Sequence, residues 1–274
     1  MYKRQELYHA ISTQAPDDLA RELSISEDKA ELLLPTAMIY HNIFEETDAE
    51  FMWLSGITIC DGMAADFAER KEHIVLAHPF SDDIISVSRK LAERFCCDTE
   101  HIHQVEIAAL KLFDALRKAN HLTKKDRLLL QIAAILHNCG SFLNLNDIGE
   151  NSYKIVTSTE IIGLSHQERM IVAYVIRYTT GDFPEYSEIK NEFSREEYIK
   201  IAKLNAILCL ADAMDRSHQQ KFTNFTVRKR GYDLTITGQT LYDITLEHGM
   251  FIQKSPFFEE AFGIRPVLRQ KKCL

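Results

Sequence analysis

Apolar residues recur at helical spacing along most of the chain, and amphipathic runs at 26–47, 81–95, 99–120, 124–138, 147–158, 165–179 and 194–216 predict helices. Several starts are written in capping chemistry. Ser24 with Glu27, Ser165 with Glu168 and Ser194 with Glu197 have capping-box spacing, in which a serine oxygen and a glutamate satisfy free N–H groups of the first turn. Ser81 before Asp82 and Asp83, and Thr123 before Asp126, mark further starts. Period-two alternation is confined to two places. Residues 50–54 and 57–59 flank Gly56, followed by a short helix from Asp61-Gly62 to about Arg70. Near the end, 222–228 and 232–237 alternate around Arg230-Gly231 and predict a hairpin. A strand near 241–245, a helix at 246–262 and a strand at 265–270 then complete a small α+β unit, and His73 to Pro79 reads as a linker.

The most apolar run, Leu128 to Leu136, ends in His137-Asn138, with Gly140 placed as a helix C-cap. Helix 99–120 carries the stripe Ile102, Val105, Ala109, Leu112 and Leu116, beside a second stripe of Ile107 and Leu110 on which His103 lies. A third apolar helix, Ala202 to Ala211, delivers Asp212, with Asp215 one turn later. Imidazole, imidazole and carboxylate at three helix ends suit Mn, Fe, Ni or Zn, and such a metal can activate water against a phosphoester. The alternative is a hydrogen-bonded polar cluster of His103, His137 and Asp212 that fixes the helix ends. His101, His121, His166 and His218 are read as helix-end or exposed residues, and His41 as part of an amphipathic helix.

Composition narrows the setting. With 46% hydrophobic and 26% charged residues the chain is an ordinary globular sequence, and no apolar run nears the roughly 20 residues needed to span a bilayer. Met1-Tyr2-Lys3-Arg4 does not open a secretory signal, and the six cysteines lack C-x-x-C spacing, so a reducing cytoplasm is expected. A net charge of -8 argues against nucleic acid or membrane as partners. From Lys221 onward, however, nine Lys/Arg face five Asp/Glu, leaving a +4 end on a -12 body. That basic end suits an anionic partner or a domain interface.

Several blocks resemble the exopolyphosphatase/guanosine pentaphosphate phosphohydrolase (Ppx/GppA) family. Leu33 to Ala37, Trp53, Asp61 to Ala64 and Asp66 are similar to the end of its actin-like phosphatase domain. His103 to Asp114, Leu130 to Gly140, Glu160 to His166 and Leu210 to Ser217 resemble its helical HD-like domain, and Phe257 to Leu268 its terminal domain. The resemblance implies a mainly α fold: an actin-like (ASKHA) α/β remnant at 1–72, an HD-like domain at 80–218 and a small α+β domain at 219–274. HD-type phosphohydrolases carry the frame H…HD…D, and here it reads H…HN…D. Asn138 stands where a carboxylate is expected, and a neutral amide is a weak ligand that takes no proton as a base.

The implied metal set is His103, His137, Asn138 and Asp212, a degenerate site for Mn, Fe, Ni or Zn, with no other cofactor and no catalytic residue expected in this chain. The resemblance further implies a cytoplasmic, hydrolase-related, noncatalytic region without the family's glycine-rich phosphate loops. Such a region would hold polyphosphate or guanosine pentaphosphate (pppGpp) through Arg169, Arg177, Arg195 and Arg216. It would act as a homodimer or with a separate actin-like domain. An autonomous metal-dependent HD nucleotide phosphohydrolase and a regulatory or scaffold subunit are the alternatives, the latter favoured by an apolar face expected on 26–59.

Overall fold

The computed structural model describes residues 4–47, 59–71, 80–117, 122–222 and 224–271. Among the described residues it is mainly helical with one small sheet, and the chain divides into two compact units, Met1–Leu76 and Ala77–Leu274. No described helix is long and apolar enough to cross a membrane. The strand expected at 50–54, residues 57–58 of the strand expected at 57–59 and the linker at 73–79 lie outside the described residues, while Ile59 is helical.

The first unit holds α1 (Arg4–Thr13), α2 (Pro16–Leu23), α3 (Glu27–Glu31), α4 (Leu33–Glu45) and α5 (Ile59–Arg70). Its core is small: Ile11, Leu19, Ala20 and Ala30, with Ile25, Leu33 and Ala37 against them. The single helix expected at 26–47 is instead two, broken at Leu32. Pro35 explains the break, because it has no N–H to donate to Glu31 and its ring crowds that carbonyl. Ser24 does not form a capping box. It takes the left-handed C-cap of α2 (φ 54°), and α3 begins after Ser26. Leu34, Met38, Ile39 and Ile43 of α4 and Ile59, Met63 and Phe67 of α5 are exposed.

The second unit is built on α6 (Phe80–Arg94), α7 (Thr99–Leu116), α8 (Lys124–Leu136), α9 (Ile148–Ser158), α10 (His166–Arg177), the short α11 (Tyr186–Ile189) and α12 (Arg195–Ala213). Thr123/Asp126, Ser165/Glu168 and Ser194/Glu197 form true capping boxes at α8, α10 and α12. Helices α7, α8, α10 and α12 bury Leu112, Phe113, Leu130, Ile135, Val172 and Leu208 in one core. The buried Glu106 accepts on both carboxylate oxygens from Arg89 Nη2 at 2.8 Å and on one of them from the Gln131 amide at 2.7 Å.

The chain ends in β1 (Asn224–Arg230), β2 (Asp233–Gln239), α13 (Thr245–Phe262) and β3 (Arg265–Lys271). The sheet order is β1-β2-β3, with β1 antiparallel to β2 and β3 parallel to it through the α13 crossover. Gly231, at φ +58°, turns the hairpin between Arg230 and Asp233. No strand forms at 241–245. There the Thr240 hydroxyl accepts from the Tyr242 N–H at 3.2 Å and Asp243 accepts from the Thr245 N–H at 3.0 Å, which bends the chain into α13. One sheet face buries Phe225, Leu234, Ile236 and Leu268, while Arg228, Arg230, Arg269 and Lys271 alternate onto the other. The basic excess of the sequence is therefore a sheet face.

Phe222 is fully buried, and its ring lies over Gly238 so closely that an added Cβ would stand 2.1 Å from it. Overpacking of this kind costs about 1–3 kcal/mol. Gly238→Ala should lower the denaturant midpoint accordingly, and a companion Phe222→Leu should restore part of the loss. An unchanged midpoint for Gly238→Ala would contradict the packing.

Candidate metal centre

Three elements of the second unit end at one point. Helix α7 starts there because Asp98 caps it, accepting the His101 backbone N–H at 3.2 Å. Helix α8 stops there with His137 as its C-cap residue, before a short 3-10 turn at Cys139–Phe142. Ser152 of α9 ties that turn down: its hydroxyl donates to the His137 carbonyl at 2.9 Å and accepts the Gly140 N–H at 2.8 Å. Gly140 does not take the left-handed cap conformation expected of it. A Cβ on it would lie 2.3 Å from the Ile148 carbonyl oxygen, so glycine is needed for the close approach of the turn to α9. Helix α12 delivers Asp212 in its last turn, and Asp215 follows in the turn after it.

The facing atoms are His101 Nε2, His137 Nε2 and Asp212 Oδ1. Their separations are 3.2 Å between the imidazoles and 3.4 and 3.6 Å from the carboxylate to His101 and His137. Both rings are orientated from behind. His137 Nδ1 lies 2.8 Å from the Ala134 carbonyl, and His101 Nδ1 lies 2.9 Å from Asp215 Oδ2. Since those oxygens can only accept, each Nδ1 carries the proton and each neutral ring offers its Nε2 lone pair to the centre. Asp215 is itself buried and held by the Gln220 N–H at 2.7 Å.

Three lone-pair donors facing one another repel unless a positive charge lies among them. Without a metal that charge is a proton. Burial disfavours the charged His101 ring, but hydrogen bonds and attraction from Asp212 and Asp215 outweigh it and push its pKa up to about 9. Burial would likewise raise the Asp212 carboxyl, yet its contacts with His101 and His137 hold it well below the usual carboxylate range. A divalent cation fits the same place. The point equidistant from the three atoms lies about 2.0 Å from each, the bond length of Zn to imidazole and carboxylate. The donor set, two neutral imidazoles and one carboxylate with hydrogen-bond acceptors behind the rings, could hold a metal ion.

The expected residues are not all here. His103 is exposed on the outer side of α7, and His101, read as a helix-end residue, takes the place expected of it. A signal for this existed. Val105, Ala109, Leu112 and Leu116 form one buried stripe, and His101 lies one turn before Val105 on the same stripe. His137 and Asp212 are both in the cluster. Asn138 is half-buried in the following turn, where its backbone carbonyl accepts from the Ser141 N–H and hydroxyl. His218 stacks on His101 with ring centroids 3.6 Å apart and bonds Asp98 at 2.9 Å, roofing the site with another imidazole.

The four arginines differ in what they touch. Arg169 donates to the Thr159 carbonyl at 3.2 Å, and Arg177 bonds Glu150 at 2.7 Å while lying 4.5 Å from the Tyr153 ring. Arg195 is exposed in the first turn of α12. Arg216 stands beside the cluster, 3.5 Å from Asp212 Oδ2, and is half-exposed.

Residues 85–253 match the family described as Ppx/GppA phosphatase, domain III, and His101, His137 and Asp212 all fall within that span. Among curated proteins, a guanosine-5'-triphosphate,3'-diphosphate pyrophosphatase of Aeromonas hydrophila subsp. hydrophila is 23% identical over 241 residues. The aligned part is 86% of this chain and 46% of that relative, so the chain spans about half the length of the curated protein it matches. With a family match that runs through most of the second unit, from α6 into α13, and takes in more than half of all residues, this chain belongs to the Ppx/GppA phosphatase family.

Proposed function

We propose that the chain is a phosphoanion-binding region of a Ppx/GppA-type phosphatase, organised around a divalent-metal site formed by His101, His137 and Asp212. On this reading residues 1–72 are the end of an actin-like domain, 80–218 an HD-like domain and 219–274 a terminal α+β domain. The observation that carries it is the convergence of two Nε2 lone pairs and one carboxylate oxygen inside the part that matches the family. The substrate class is polyphosphate or guanosine pentaphosphate, the latter supported by the name of the Aeromonas relative. The reading places the protein in the cytoplasm.

When bound, a metal of the Mn, Fe, Ni or Zn type would supply Lewis-acid polarisation of a phosphoryl oxygen. The chain's own groups do the rest. Arg216, half-exposed beside Asp212, offers a guanidinium to an anion arriving at the cluster. The outer sheet face with Arg228, Arg230, Arg269 and Lys271 extends the positive surface available to a long polyanion. Asn138 limits the chemistry, since its amide cannot accept a proton from water. The exposed apolar residues of α4 and α5 favour a partner, either a second copy or a separate actin-like domain. A second reading, an autonomous HD-type nucleotide phosphohydrolase, is favoured by the same three ligands. Measurable nucleotide hydrolysis by the purified chain with Mn or Zn, lost in His137→Ala, would select it.

Metal analysis of the purified protein tests the centre. His101→Ala should lose bound metal while His103→Ala keeps it, and equal retention by both would refute the assignment. Asp215→Asn, which removes only the carboxylate behind His101, should weaken metal affinity by about 10–100-fold. Asn138→Asp should raise it, as measured by competition with a chelating dye, and an unchanged affinity would show that position 138 does not reach the ion. Guanosine pentaphosphate binding should weaken in Arg216→Ala and fall steeply with salt, whereas a salt-independent affinity would argue against ionic recognition.

A further inference from the structure

A cavity of about 450 Å³ opens between the segment 178–185, α12 and α13, and it shares no residue with the His101/His137/Asp212 cluster. Its walls include four aromatic rings, Tyr178, Phe183, Tyr198 and Phe257. Phe183 is at their centre, with ring centroids 5.5 Å from Tyr178, 5.6 Å from Tyr198 and 5.1 Å from Phe257. Such rings present negative π faces to a cation.

The polar lining has the same preference. Three carboxylates line the cavity: Asp182 and Glu185 from the segment before α11, the latter engaged in capping that helix, and Glu260 from the last turns of α13. Deeper in, the buried Cys209 thiol donates to Asn205 Oδ1 at 3.6 Å and lies 3.8 and 3.9 Å from the Tyr178 and Thr179 carbonyls. Acceptors therefore predominate. Lys254, the cation among the lining residues, has its ammonium committed to the Thr179 carbonyl at 2.8 Å. Burial and the nearby Glu260, Glu185 and Glu188 push the Tyr198 hydroxyl pKa up, in keeping with a negative local field.

An acidic, acceptor-rich slot is a poor receptacle for a phosphate and a good one for a donor-rich cation with an apolar body. Because the carboxylates stand on two separate elements, the complementary shape is a chain with charges at separated points. We propose that this cavity binds a linear aliphatic polyamine, with methylenes against the aromatic rings and ammonium groups on Asp182 and Glu260. The site is independent of the phosphoanion-binding reading.

Isothermal titration calorimetry of the full chain with spermidine tests it. Saturable binding of one spermidine is expected, weakened about tenfold in the double variant Asp182→Asn/Glu260→Gln, since each lost surface ion pair is worth a few-fold. Both residues are exposed, so the fold should survive their replacement. Phe183→Leu, which keeps an apolar side chain but removes the π face, should weaken binding by about threefold. The uncharged 1,8-octanediol should give no saturable heat. Absence of saturation at millimolar spermidine would overturn the proposal, as would an unchanged affinity in the double variant or equal binding of the diol.

Discussion

The structure depends on what compensates three lone pairs that point at one another. Apolar helices α7, α8 and α12 pack so that His101, His137 and Asp212 meet in a space with little water, and two imidazoles beside a carboxylate cannot remain there without a positive charge. Asp215 behind His101 and the Ala134 carbonyl behind His137 fix which ring nitrogens face inward. The cluster is thus already organised as an acceptor of one cation. A proton can supply that charge, and the three facing atoms could also hold a metal ion.

That constraint explains the unusual amount of polar support nearby. Asp98 caps α7 and also holds His218, whose ring covers His101. Ser152 uses its one hydroxyl both to donate and to accept, so the turn that presents His137 is pinned to α9. None of these groups faces the centre itself. They keep three helix ends from drifting apart, and orientation of this kind separates a ligand set from a chance cluster.

Much of this was legible in the sequence and some was not, for identifiable reasons. Capping boxes at Ser165 and Ser194 involve residues three apart, and local chemistry sufficed to place α10 and α12. Ser24 has the same spacing but serves the helix before it, because the following helix starts two residues later. His137 and Asp212 could be singled out since each ends a long apolar run. His103 was misplaced because a secondary stripe through Ile107 and Leu110 looked apolar enough to be inward, whereas these residues are only half-buried and His103 faces water. The lesson is one of phase: α7 buries the face through 101, 105, 109 and 112, and an error of two residues turns a ligand into a surface side chain. The role of Gly140 was hidden for another reason. It depends on the Ile148 carbonyl opposite, a contact that no local pattern encodes.

The link from His101 to Asp215 joins residues 114 positions apart, and that from His101 to His137 spans 36. Closing such loops costs entropy that the contacts made on closure must repay. Both histidines also leave the ribosome well before the aspartates that orient and balance them. The centre therefore cannot be complete before α12 is in place, and a chain stopped short of it would carry His101 without the carboxylate that sets its direction.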